Sequence, residues 1–141
     1  MRYHLAAEKL PTAWCEAADE AGVETVLLAA PTTPDARLVE IGERSRGFVY
    51  SVGLLGVTGE RSSLAATAVD LARRLKAVTD RPILVGVGVS NAAQAREAST
   101  VADGVIQGAS VVRRLMDGGP DAVGAYVAEV RAALDQLEGS R

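Results

Sequence analysis

Glycine recurs where three β-rich runs of this sequence end, and a helical pattern follows each of them. Residues 48–60 read FVYSVGLLGVTGE, residues 85–90 read VGVGVS and residues 105–110 read VIQGAS. Glycine lets backbone N–H groups approach a ligand closely, and the start of the following helix attracts negative charge. One glycine-rich turn is weak evidence, since such turns also serve the backbone alone. Three in succession predict an anion-binding edge, because parallel strands end on one face.

The composition indicates one aliphatic domain. The chain has 141 residues, of which 48% are hydrophobic and only 4% aromatic. A chain of this length buries roughly two-thirds of its unfolded surface. A core of Ala, Val, Leu and Ile suits parallel strands covered by helices. The net charge of −3 and the lack of a basic block argue against nucleic acid as a partner.

The sequence lacks the residues and segments that disulfides, metal sites, membrane spans and secretory signals require. Cys15 and His4 are the only residues of their types, so no disulfide and no recognisable Cys or His metal set is expected. We expect Cys15 to be inert and His4 to be exposed. No apolar run approaches the roughly 18 residues of a membrane span, and the start lacks the apolar centre of a secretory signal. These features predict a cytoplasmic protein without a membrane partner.

The apolar periodicity predicts four strands that alternate with helices between residues 10 and 137, after a poorly patterned segment 1–9. The predicted strands are 23–30, 48–52, 83–87 and 105–107. The predicted helices are 10–22, 35–44, 62–78, 91–101, 109–116 and 121–137. This alternation is typical of right-handed βαβ units with parallel strands. The extra short helix after the fourth strand is typical of phosphate sites in (β/α)₈ barrels.

Local patterns add finer expectations. Thr33 is predicted to cap the helix 35–44, with Pro34 in its first position. Either Ser62 or Ser63 should cap the third helix, and either Ser90 or Asn91 the fourth. Asp103 is assigned to a turn at a strand entrance, the wrong end of the sheet for a site. Helical spacing places one apolar group of the first helix toward the core: Trp14, Ala17, Ala18 and Ala21.

Four segments together resemble a known family, the tryptophan synthase alpha chain. They are 47–61 (GFVYSVGLLGVTGER), 82–95 (PILVGVGVSNAAQA), 102–112 (ADGVIQGASVV) and the preceding helix and strand in 14–38. The likeness runs from about Leu10 to Leu137. It maps the chain onto strands five to eight, the C-terminal half of a (β/α)₈ barrel. The implied fold class is therefore α/β, a parallel (βα)₄ half of a TIM barrel.

The resemblance implies an activity and a partner. The family cleaves indole-3-glycerol phosphate to indole and glyceraldehyde 3-phosphate, and a pyridoxal-phosphate beta chain receives the indole. The alpha chain itself needs no cofactor. The family's catalytic Glu and Asp belong to its N-terminal half, and no position of this sequence matches them. Glu60 is the only carboxylate near the predicted site, and we expect it to be a solvated loop residue. The implied role is phosphate binding without activity by this chain alone.

The site residues implied by the resemblance lie at the strand ends. Tyr50 matches a tyrosine at the end of strand six, and Thr58 and Gly59 match the mobile loop. Gly86 and Gly88 match the phosphate loop after strand seven. Gly108 matches the glycine that opens the short helix. The family usually reads Gly-Ser-Ala where this chain has Gly108, Ala109 and Ser110. Losing one charge-assisted hydrogen bond there costs about 1.5–3 kcal/mol, although backbone amides still bind phosphate.

A half-barrel exposes two strand edges and the side chains that a closed barrel would cover, for instance Val26, Leu28, Val49 and Val85. Three arrangements solve this problem. Two chains associate with C2 symmetry, another polypeptide supplies the missing half, or the helices rearrange into a flavodoxin-like layered sheet. We expect self-association into a homo-oligomer.

Two other functions remain open from the sequence. In the first, the chain would be a non-catalytic phosphate-ligand-binding or regulatory partner of a beta-type chain. In the second, it would be a fragment of another phosphate-handling barrel.

Overall fold

Helices and strands alternate along the residues that the computed structural model describes, which are 12–52, 66–86 and 88–138. The helices are α1 (Thr12–Glu20), α2 (Asp35–Arg44), α3 (Ala66–Lys76), α4 (Ala92–Ala98) and α5 (Ala109–Glu138). The strands are β1 (Leu28–Ala29), β2 (Val49–Val52), β3 (Ile83–Gly86) and β4 (Gly104–Val105). The alternation of strand and helix predicted from the sequence is confirmed, while β1 and β4 are shorter than predicted.

The strands form one parallel sheet in the order β1-β2-β3-β4. With right-handed crossovers, strands in sequential order carry every connecting helix on the same face. A flavodoxin-like sheet instead reverses its strand order and carries helices on both faces. The sequential order is that of half a (β/α)₈ barrel, so the half-barrel prediction is confirmed and the layered alternative is wrong.

The aliphatic core lies between the sheet and the helices. Leu38 of α2 and Leu71 and Leu75 of α3 pack with Val49 and Val85 of the strands, and all five are fully buried. The prediction that Val49 and Val85 face the barrel interior is therefore wrong. Their β-branched side chains fill the face that the helices cover. Side chains alternate between the two faces of a strand, so the residues that face the barrel interior are the neighbours of Val49 and Val85 in the sequence.

The opposite face of the sheet is partly exposed, since Leu28 is exposed and Tyr50 and Leu84 are half-buried, whereas Val52 is buried. Register places Leu28, Tyr50, Leu84 and Gly104 in one row across the four strands. Leu28 is 44% exposed, although Leu27 and Ala29 on either side of it are buried. We call this row the open face. A closed barrel would cover it.

Helix α1 turns a different side inward from the one predicted. Cys15 is buried and Trp14 is 55% exposed. Arg44 of α2 donates hydrogen bonds to the Cys15 carbonyl at 2.9 Å and to the Asp19 carboxylate at 2.7 Å. Cys15 and Asp19 share a helix face because they lie four residues apart, so the contact with α2 decides the orientation. The exposed side includes three of the four residues predicted to be buried, Trp14, Ala17 and Ala21.

The helix starts show two different solutions for unpaired backbone groups. Asn91 caps α4, since its side chain accepts from Gln94 N at 2.9 Å, and the Gln94 side chain accepts from Ser90 N at 2.9 Å. Thr33 does not cap α2 as predicted. Its hydroxyl accepts from Ala30 N at 2.9 Å and closes the turn after β1, while Pro34 takes the capping position. The predicted caps Ser62 and Ser63 lie outside the described residues.

Helix α5 is interrupted where the sequence predicts a stop. Gly119 has φ of 69° and Pro120 follows it, so two helical segments meet at a kink. Each helix in the described ranges is too short or too polar to cross a bilayer.

Asp103 ties the amino ends of the strands to a helix. Its carboxylate accepts from Lys76 Nζ at 2.6 Å and from Ile83 N at 2.7 Å. Partial burial raises the pKa of Asp103, but the hydrogen bonds from Lys76 and Ile83 outweigh it and leave the pKa below its ordinary value. These contacts explain Asp103 as a structural residue at the end of the sheet opposite the candidate site.

We predict that Asp103→Asn lowers the free energy of unfolding by about 1 kcal/mol at pH 7, since the Lys76 pair is partly solvated. Because the folded pKa is depressed, this stabilisation is present above the unfolded pKa of about 3.9 and is lost as the pH falls through the lower folded value. Urea unfolding between pH 7 and pH 3 should show wild type and variant converging at low pH. Asp70→Asn is the matched control, since Asp70 forms an exposed pair with Arg73 at 3.7 Å. A difference that stays constant with pH would contradict the assignment.

Candidate functional site

Tyr50 and Gly86 meet on the open face near the carboxyl ends of β2 and β3. Tyr50 pairs with Leu84, and Gly86 is two residues further along β3. A Cβ at Gly86 would lie 2.9 Å from Tyr50 Cε1 and closer still to the hydroxyl oxygen. Only glycine therefore leaves room for the tyrosine ring. Although Tyr50 is the second residue of β2, its hydroxyl reaches the last residue of β3.

Gly88 follows β3 at the same edge. It is exposed and has φ of 92°, a conformation that suits glycine. This turn leads directly to Ser90 and to the Asn91 cap of α4. The chain after β3 is thus held close to the sheet edge, with the Gly88 backbone accessible to solvent.

The start of α5 carries unpaired backbone donors. Its first helical hydrogen bond runs from Val112 N to Gly108 O at 3.0 Å. The amides of Ala109, Ser110 and Val111 precede any helical acceptor, and Gly108 has no side chain that could cap them. The first turn holds no acidic residue. Such a helix start favours an anion.

A buried hydroxyl lies beside these amides. Ser110 is 8% exposed, and its Oγ is buried with no hydrogen-bond partner among the described residues. A buried hydroxyl without a partner costs free energy, so an acceptor at this position would be stabilising. The residue order Gly-Ala-Ser therefore places a hydroxyl at the helix start, one residue later than the Gly-Ser-Ala order does.

A cleft of about 410 Å³ joins the loop after β3 to the start of α5. We call it the α5 cleft. It is lined by Ser90, Ala109, Ser110, Arg113 and Arg114. The guanidinium of Arg114 lies 4.1 Å from the ring centre of Tyr126. The cleft therefore brings two serines and two arginines to the first turn of α5, and these residue types are common at phosphate sites.

Sequence reasoning missed two residues of this edge. Gln107, two residues after β4, has a buried Nε2 with no partner in the described part of the chain, and Arg113 lines the α5 cleft. Two features of the sequence could have identified them: Gln107 stands directly before Gly108, and Arg113 stands one helical turn after Ala109. The predicted site residues Thr58 and Gly59 lie outside the described residues.

A second cleft, of about 530 Å³, lies at the amino ends of the strands, where Lys76, Asp103 and Arg131 line it. Lys76 and Asp103 pair with one another, so these two charged residues of the second cleft stabilise the fold and are not assigned to a ligand. In residues 12–52, 66–86 and 88–138, no cluster of His, Cys, Asp and Glu could hold a metal ion.

The sequential parallel sheet and its helices define this chain as half of a (β/α)₈ barrel. The family model of the tryptophan synthase alpha chain matches residues 7–138. The chain therefore belongs to the tryptophan synthase alpha chain family, as the resemblance in the sequence predicted.

Relatives and solved structures agree on the extent of the match. A tryptophan synthase alpha chain of Streptomyces coelicolor is 51% identical over 129 residues, which are 91% of this chain and 47% of that relative. A Mycobacterium tuberculosis tryptophan synthase structure matches with a TM-score of 0.75 and 38% identity, covering 90% of this chain and 49% of its own. A mutant alpha subunit of Pyrococcus furiosus matches with a TM-score of 0.72 and 35% identity, covering 88% and 52%. The chain spans about half the length of the curated relatives it matches.

We predict that Gly86→Ala destabilises the chain by about 1–3 kcal/mol, because its methyl group would overlap the Tyr50 ring. In a Tyr50→Ala background the same substitution should cost much less, since the ring is gone. A double-mutant cycle by urea unfolding measures this coupling. Gly124→Ala is the matched control: its Cβ meets open space, and within a helix alanine is favoured by about 1 kcal/mol. Equal costs of Gly86→Ala in both backgrounds would refute the contact.

Proposed function

We propose that this chain forms the phosphate-binding end of a tryptophan synthase alpha-type site and takes the phosphate of indole-3-glycerol phosphate. The observation that carries the proposal is the buried, unpartnered hydroxyl of Ser110 next to open amides at the start of α5. Gly88 and Gly108 lie at two neighbouring strand ends, and their small size lets a phosphate approach the backbone.

Each predicted site residue has a role in this proposal. The backbone amides of Ala109 and Ser110 donate to the phosphate, as helix starts commonly do. Tyr50 and Gly86 shape the side of the site that lies over the sheet. Thr58 and Gly59 belong to the segment that the resemblance matches to the family's mobile loop.

We propose that this chain binds the substrate without cleaving it. Breaking the carbon–carbon bond needs a positioned proton donor and acceptor. The family's Glu and Asp have no matching positions in these 141 residues. The side chains of Tyr50, Gln107 and Ser110 are a phenol, an amide and a hydroxyl, and none is a carboxylate. In this proposal the acid and base come from the other half of the barrel.

The open face favours closure of the barrel by a second copy. Exposed Leu28 and the half-buried Tyr50 and Leu84 form an apolar row, and β1 and β4 are the edges of the described sheet. Two copies related by C2 symmetry would pair each β1 with the partner's β4 and enclose both rows. A complementary half supplied by another polypeptide is the alternative.

We predict that the chain elutes at twice its 14.6 kDa mass and that Leu28→Lys shifts it to the monomer. A lysine in the enclosed row would bury an unpaired charge. The matched control is Val39→Lys, because Val39 is exposed on helix α2. Size-exclusion chromatography with light scattering measures the mass. A monomeric wild type would contradict self-association and favour a second polypeptide.

An exposed apolar stripe favours a second role, as a regulatory partner of a beta-type chain. Val112, Leu115 and Met116 are 54%, 50% and 81% exposed. They lie three and four residues apart on the first segment of α5 and therefore share one face. Such a stripe beside the α5 cleft suits a protein partner. Pyridoxal phosphate would then belong to that partner.

Phosphate binding and turnover can be measured separately. We predict that the full chain binds glycerol 3-phosphate but not glycerol, and releases no indole from indole-3-glycerol phosphate with or without a beta chain. Ala109→Ser restores the family's Gly-Ser order, and one added hydrogen bond to a charged group is worth about 1.5 kcal/mol, or tenfold tighter binding. Ala128→Ser, an exposed site on α5, is the control. Absence of glycerol 3-phosphate binding would refute phosphate recognition, and indole release by the chain alone would refute its inactivity.

A further inference from the structure

We infer that Arg113 is a side-chain ligand of the phosphate group at the start of α5, an inference that rests on the proposed function. Its guanidinium would add a charged contact to the backbone amides and the Ser110 hydroxyl. The ligand class is a phosphate monoester in its dianionic form.

The helix geometry directs Arg113 toward the amides. Arg113 is four residues after Ala109, so the two share one face of α5. Side chains on a helix tilt toward its N-terminus. The long arginine side chain therefore leans over the first turn. Ala109 is small and leaves this path open, and both residues line the α5 cleft.

The charge at the start of α5 favours an anion beside Arg113, and the acidic residue Asp117 lies on the far side of Arg113, one turn further from the helix start. A cation near a helix N-terminus is unfavourable because it faces the positive end of the helix dipole. The first turn of α5 holds no acid to offset this. Within the described ranges, Arg113 forms no ion pair. A dianion in the α5 cleft would satisfy the helix end, the guanidinium and the buried Ser110 hydroxyl together.

The neighbouring residue Arg114 differs from Arg113 because its guanidinium already has a partner. Its guanidinium stacks on the Tyr126 ring at 4.1 Å, which ties the two segments of α5 together. This contact occupies Arg114, whereas Arg113 remains exposed at the cleft. Arginine presents a planar fork of donors that matches two phosphate oxygens at once. Arg113 would therefore offset the missing hydroxyl at Ala109.

The test compares four forms of the full chain by NMR titration with glycerol 3-phosphate at pH 7. We expect Arg113→Gln to weaken binding at least tenfold and Arg113→Lys to weaken it less, because lysine keeps the charge but loses the fork. Arg73→Gln is the matched control, since Arg73 is an exposed arginine on α3. It should bind within twofold of wild type.

A pH series separates a direct contact from a structural role. The second ionisation of a phosphate monoester has a pKa of about 6, so wild-type affinity should rise between pH 5 and pH 7. Without the guanidinium this rise should be smaller in Arg113→Gln. Equal affinity of wild type and Arg113→Gln would overturn the role of Arg113 and leave phosphate binding intact. No binding by wild type would overturn the proposed function and this inference together. Ligand-free spectra of Arg113→Gln that differ throughout α5 would assign the loss to structure and also overturn the direct contact.

Discussion

The parallel pairing of the four strands in sequential order is the constraint on which the rest of the structure depends. Right-handed connections between such strands place the helices on one face and all carboxyl ends at one edge. The core then forms between the sheet and the helices that cover it. Val49 and Val85 are fully buried there, and their aliphatic packing holds the edge that carries the candidate site.

Paired and unpaired polar groups lie at opposite ends of the sheet. At the amino ends, Asp103 links Lys76 of α3 to the backbone of Ile83. At the carboxyl ends, the amides of the first turn of α5 have no helical acceptor within the described residues. Polar groups that satisfy one another stabilise the fold, whereas groups that remain unsatisfied are available to a ligand.

The same constraint places the described helices on one sheet face and leaves Leu28 on the other, where it is 44% exposed. Leu28 lies there beside Tyr50 and Leu84 in one row. In the solved relatives this chain corresponds to about half of the polypeptide. The hydrophobic effect favours removing such a row from water. The exposed row therefore supports the proposal that a second copy or another polypeptide closes the barrel.

The sequence by itself determined the order of the elements, the family and the position of the glycines at the strand ends. Aliphatic runs separated by glycine and proline are local signals, so they can be read without a structure. The tertiary structure decided which residues of each element face the core. It placed Cys15 inside and Trp14 outside, and it turned Val49 toward the helices. It also brought Arg113 to the α5 cleft. These outcomes depend on strand register and on contacts between elements far apart in sequence, such as Arg44 with Asp19, and periodicity within one element does not specify them.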